Sequence, residues 1–124
     1  MILLPWPSRD LHPNSRVHWA RKAKATKKAR IEAQVATLAS RSSLSPIPKN
    51  GALALWVTWY PPDRRKRDDD GLIAAFKASR DGIADALGID DSRFRVIPYL
   101  SDQPRKGGAV EVKITAMPEI TPIT

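Results

Sequence analysis

Apolar residues along the 124-residue chain recur with two different periods, and the changes of period divide it into elements. Ile2–Leu4 is a short apolar run closed by Pro5 and Pro7, which fits a brief strand followed by extended or turned chain as far as Asn14 and Ser15. From about Val17 to Ser40 the composition turns helical, rich in Ala, Lys and Arg and free of Gly and Pro. Ile31, Val35 and Leu38 fall at i, i+4, i+7, so this stripe is expected to anchor the second half of the helix on a core. After a Ser- and Pro-rich loop, Ala52 to Tyr60 alternates as a strand: Leu53, Leu55, Val57 and Trp59 on one face, Ala54, Trp56, Thr58 and Tyr60 on the other.

Pro61 and Pro62 end that strand, and a charged stretch leads into "GLIAAFKASRDGIADALG". Leu72, Phe76, Ile83 and Leu87 form its helical stripe, Gly88 is the expected stop, and Gly82 weakens it by about 1 kcal/mol relative to Ala. Phe94, Val96 and Leu100 alternate as one strand and Val110, Val112 and Ile114 as another. The turn-like "SDQPRKGG" between them predicts a hairpin, and the tail 118–124 is expected to fray. The order β-α-β-α-β-β predicts an α+β fold, a small mixed or antiparallel sheet with two main helices, in a single domain spanning 1–124.

Charge adds a direction to this outline. The net +8 is carried entirely by residues 1–50, with 10 Lys and Arg against 2 acids; the remainder balances to zero. The first half of the long helix, with Arg21, Lys22, Lys24, Lys27 and Lys28 and no acid among them, is a cationic rod suited to a polyanion. Without cysteine there is neither a disulfide framework nor a thiolate zinc site, and His12 and His18, six apart, match no common helical metal motif. "MILLPWP" has neither the basic start nor the apolar length of a signal peptide, and no segment is long enough to span a membrane. The expectation is a soluble, cytoplasmic protein.

The strongest positive run, Arg64, Arg65, Lys66 and Arg67, stands directly against the strongest negative one, Asp68, Asp69 and Asp70. Carboxylates at i and i+2 in a turn, as Asp68 and Asp70 are, can both reach one hard divalent cation. Asp90 and Asp91, beyond the helix, join them if the next strand returns beside the first, as antiparallel packing allows. Three carboxylates and a metal suffice to hydrolyse a phosphodiester, and Lys77, seven residues after Asp70 on nearly the same helical face, can meet a phosphate oxygen. The same residues also fit plain structural roles: a helix cap at Asp69 or Asp70, a surface pair between Lys77 and Asp81, a turn at Asp90 and Asp91. Four cations beside the acids favour the phosphate reading.

At this level of detail the chain resembles a known family. "PDRRKRDDDGLIAAFKA", "ALGIDDSRF", "RKGGAVEVKIT" and the opening "LPWPSRDLHPNSR" are similar, in order and over nearly the whole chain, to the RusA family of Holliday-junction resolvases. The resemblance implies a Mg²⁺-dependent homodimer, with Mn²⁺ as a substitute, that nicks four-way DNA junctions symmetrically in recombination and repair. It implies that Asp68, Asp70 and Asp91 are catalytic metal ligands. Two positions depart from the family pattern: Gly71 stands where Asn is usual, and Ala74 where the family has its essential Lys. Lys77, one turn on, takes that role in this reading, with the basic run or the partner subunit as substitutes. Asn14, Arg64, Arg65, Lys66, Arg67, Lys22, Lys24, Lys27 and Lys28 are the expected DNA-binding residues. Three other readings stay open: a branched-DNA or flap nuclease of relaxed specificity, a non-catalytic junction binder, and an RNA-binding module using Trp56, Trp59 and Tyr60 as stacking platforms.

Overall fold

The computed structural model describes residues 1–67 and 69–117. Its elements are β1 (Ile2–Leu4), α1 (Trp19–Ala39), β2 (Leu53–Tyr60), α2 (Asp69–Ala75), α3 (Lys77–Leu87), β3 (Phe94–Leu100) and β4 (Ala109–Ala116), with single 3-10 turns at Arg9–Leu11, Arg41–Ser43 and Asp91–Arg93. This is the expected α+β order with the second helix divided at Phe76. The Phe76 N–H is shared between the Leu72 and Ile73 carbonyls, and its ring packs edge-on against Trp59 with centroids 6.0 Å apart. The tail 118–124, where fraying was expected, lies outside the described residues.

The four strands form one mixed sheet in the order β1-β4-β2-β3. β4 lies antiparallel to both β1 and β2, while β3 lies parallel to β2, from Leu53 opposite Phe94 to Trp59 opposite Leu100. The expected β3–β4 hairpin is therefore not formed. The loop 101–108 instead passes across the end of β2, tied there by Ser101 N–H to the Trp59 carbonyl and Arg105 N–H to the Pro61 carbonyl. A turn-rich loop of this length serves a crossover as well as a hairpin, and β4 gains two neighbours by entering between β1 and β2.

The helices cover one sheet face. Ile2, Leu4, Leu53, Leu55, Val57, Trp59, Phe94, Val110 and Val112 are buried beneath Leu72, Phe76 and Ile83, so the predicted inward faces of β2 and the second helix hold. The burial of α1 runs opposite to expectation. Ile31, Val35 and Leu38 are exposed at 47%, 60% and 47%, and the buried positions are Ala33 and Thr37. The reason is close packing of α1 on α3. A Cβ at Gly82 would clash with the Arg30 carbonyl and lie 2.9 Å from the Ala33 Cβ, so only small residues fit between the two backbones. Gly82 is thus a requirement of the packing. Arg30 closes the seam through Asp85, with contacts of 2.6 and 2.9 Å.

The two helices run in the same direction along the sheet: Lys22 shares a cleft with Ala74 and Lys77, while Arg30 meets Asp85. The basic half of α1 therefore lies at the end where β2 finishes and α2 begins. No helix among the described residues is long and apolar enough to cross a membrane.

Candidate nucleic-acid interface

The charged stretch after β2 folds around Asp63. Its carboxylate accepts from the Arg65 N–H at 2.9 Å and from the Arg65 and Arg67 guanidinium groups at 3.2 and 2.8 Å. These bonds hold its pKa well below the usual carboxylate range, the backbone bond from Arg65 first, then the Arg65 and Arg67 side chains. The guanidinium of Arg67 also donates to the Asp63 and Arg65 carbonyls and lies 5.4 Å over the Trp6 ring. Arg67 is thus largely committed to building the turn, with 17% of its side chain exposed. Arg64 and Lys66 are exposed and enter none of the ion pairs formed among the described residues.

Asp69 and Asp70 are exposed in the first turn of α2. Asp68, the first expected metal ligand, lies outside the described residues. Trp6 fixes where this turn sits: its ring lies under the Arg67 guanidinium and its side chain packs against Gly108, which precedes Ala109, the partner of Tyr60. Asp70 therefore belongs to the end of the sheet where β2 finishes.

Asp91 belongs to the other end. It opens the 3-10 turn before β3, whose first residue pairs with the first of β2, and Arg93 in that turn donates to the Gly51 and Pro48 carbonyls. The strand after the helix does return beside β2, but parallel rather than antiparallel. Eight residues of strand span about 23 Å, so within one chain Asp91 and Asp70 stand at opposite ends of the sheet. Among the described residues no group of three or more His, Asp or Glu side chains is gathered to hold a metal. Asp90 is a cap, accepting from the Ser92 N–H at 2.8 Å. Asp91 lies 3.6 Å from the Arg80 guanidinium and shares a hydrogen bond with Asp81, which the helical spacing had paired with Lys77 instead. Loss of solvation raises the Asp81 pKa, and the bond to Asp91 raises it further.

Around the Asp70 end, cations arrive from separate segments. Lys22 and Lys77 line one cleft, with Thr26 and Ala74 between them. Arg21, Lys24 and Lys28 line a second, where Arg21 pairs with Asp10 at 2.9 Å. A third, of about 370 Å³, holds Arg9, His12, Asn14 and Arg67 beside Gly71. Lys27 is exposed on α1, outside these clefts. Lys77 opens α3, two turns beyond Asp70 along the helical axis.

The aromatic residues of β2 divide between the sheet faces. Trp59 is core at 2% exposure, which removes it as a stacking platform. Trp56 donates to Thr115 at 2.7 Å, and Tyr60 donates to Glu111 at 3.0 Å beneath the Arg105 guanidinium, 3.6 Å from its ring.

No family model matches the chain. It is 53% identical over 117 residues to an uncharacterized protein of Xylella fastidiosa (strain Temecula1), an alignment covering 94% of this chain and 76% of that protein. The chain belongs to that protein's family. The shared span takes in most of both chains, so the relative carries most of this domain's length.

Proposed function

We propose that this chain is a Mg²⁺-dependent endodeoxyribonuclease of RusA type that nicks four-way DNA junctions as a homodimer in the cytoplasm of a bacterial or phage-infected cell. One observation carries the reading: Arg9 of the N-terminal loop, Lys22 of α1, the exposed Arg64 and Lys66, and Lys77 of α3 lie about the turn that presents Asp70, and Lys24 and Lys28 extend the basic surface along α1. Cations from four segments around exposed carboxylates match a phosphate chain held across a cutting site. Their spread over loops and helices, rather than along one base-reading helix, suits recognition of branched shape.

The acids fit a hard cation, since Mg²⁺ takes one or two carboxylates and keeps several waters. Asp68 and Asp70 are the ligands from one chain. Bound Mg²⁺, or Mn²⁺ in its place, supplies a water of lowered pKa and neutralises charge on the attacked phosphate. Within one chain Asp91 contacts Arg80 and Asp81 rather than Asp70, which belongs to the other end of the sheet. In this reading Asp91 comes from the second copy, so a two-fold dimer holds two equivalent shared sites, one for each nick. Lys22 and Lys77 hold a flanking phosphate, and Arg64 and Lys66 the backbone on the other side of the turn.

The test is cleavage of an end-labelled synthetic four-way junction with Mg²⁺, beside linear duplex, EDTA and an Asp70→Asn control. Paired symmetric nicks in the junction alone, absent with EDTA and in the variant, are expected. Tight junction binding with no cut under Mg²⁺ or Mn²⁺ leaves a non-catalytic binder in its place, and equal cutting of flaps and three-way forks leaves a relaxed branch nuclease.

A further inference from the structure

His12 stands where the 3-10 turn Arg9–Leu11 ends, half-buried in the cleft that also holds Arg9, Asn14 and Gly71. Its Nδ1 accepts a hydrogen bond from the Asn14 backbone N–H at 3.1 Å. An accepting Nδ1 carries no proton, so the neutral ring keeps its proton on Nε2. That edge of the ring lies against α2. A Cβ at Gly71 would clash with Nε2 and come 2.8 Å from Cδ2. Gly71 has no positive φ, so its backbone does not demand glycine; the space taken by the imidazole does. Chain geometry and the missing side chain together hold an N–H donor against the helical turn that carries Asp70.

We propose that His12 is a phosphate-positioning residue: its Nε2–H donates to a non-bridging oxygen of a backbone phosphodiester lying in this cleft, beside Arg9 and the Asn14 side chain. The inference rests on the nuclease reading for its substrate. An anionic ligand suits the site itself, since Arg9, Arg67 and His12 line the same open space of about 370 Å³. A donor held by a fixed tautomer and a packed ring needs little reordering when the phosphate arrives. The role is hydrogen-bond donation alone, with no proton transferred.

The experiment uses the full chain as wild type, His12→Ala, His12→Gln, Gly71→Ala and the His12→Ala/Gly71→Ala double variant. Binding of a labelled four-way junction is read in EDTA, and cutting is read with Mg²⁺. A lost hydrogen bond to a charged group predicts about tenfold weaker binding for His12→Ala. His12→Gln, whose amide N–H reaches a similar point, recovers most of it. Gly71→Ala pushes the ring aside and matches His12→Ala, and the double variant is no worse than either single one. Unchanged binding by His12→Ala, equal loss in His12→Gln, or additive losses in the double variant overturns the inference. If Gly71→Ala fails to fold, the Ala and Gln variants at position 12 still decide. A wild type that binds but does not cut sinks the nuclease reading and leaves the binding comparison intact; one that cuts while His12→Ala binds normally sinks only this inference; one that binds no DNA sinks both.

Discussion

Asp63 sits among four cations and takes two of them for itself, so the run Arg64–Arg67 is not uniform. Two guanidinium groups shape the turn, and Arg64 and Lys66 are left facing outward. The folded state depresses the Asp63 pKa below its ordinary 3.8, so its contribution to stability is present above that value and lost as pH falls through the lower folded value. Asp63→Asn is therefore expected to lower the melting temperature at pH 7, with the difference from wild type shrinking progressively below about pH 3.8 in thermal scans. Gly82 gives a second expectation at this scale. Helix propensity alone favours Gly82→Ala by about 1 kcal/mol, but the new Cβ meets the Arg30 carbonyl, a backbone atom that cannot swing away. Overpacking then dominates, and urea unfolding should show a loss of about 2 kcal/mol with an unchanged slope. The charges of the run were legible in the sequence. The division of labour within it was not, because Asp63 lies just outside the run and its hold on Arg65 and Arg67 depends on a turn conformation. The place of His12 was hidden for a similar reason: its spacing to His18 matches no metal motif, and the residue it packs against is a glycine 59 positions away.

Element identities followed from the pattern of the chain, and element partners only partly. The alternation of β2 fixed its inward face, since Leu53, Leu55, Val57 and Trp59 are all buried. In α1 the aliphatic pattern points to the wrong face. Large aliphatics at i, i+4, i+7 normally mark the core, but here the neighbouring helix comes too close for them and takes Ala33 and Thr37 instead. Small residues at Ala29, Ala33 and Ala36, matched by Ala78 and Gly82 on the other helix, were the available sign. The packing predicts that Ala33→Leu costs about 2 kcal/mol or more, while Val35→Ser, at an exposed site, changes stability by no more than about 0.5 kcal/mol. Urea unfolding of the two variants checks this, and the opposite ranking would restore the aliphatic stripe as the buried face. The missing β3–β4 hairpin has a comparable origin, because loop composition sets that the chain turns and not which strand it turns toward.

For the molecule as a whole, the sheet sets what one chain can do alone. Parallel pairing of β2 with β3 sends the helical connection from one end of the sheet to the other, carrying Asp70 and Asp91 apart as it does so. The basic half of α1, the N-terminal loop and the cations after β2 all collect at the Asp70 end. Sequence spacing could bring out the acids and the cations but not this separation, which depends on strand direction. In the proposed reading each metal site is therefore shared between two copies. The measurement that tests this most directly mixes Asp70→Asn with Asp91→Asn chains, each inactive alone, and reads a labelled four-way junction with Mg²⁺ beside the wild type. Shared sites predict that the mixture recovers cutting, since each mixed dimer rebuilds one intact site from Asp70 of one chain and Asp91 of the other, and that it leaves single rather than paired nicks. A wild type that cuts while the mixture stays silent would contradict the account, because it would place both carboxylates of each working site on the same chain.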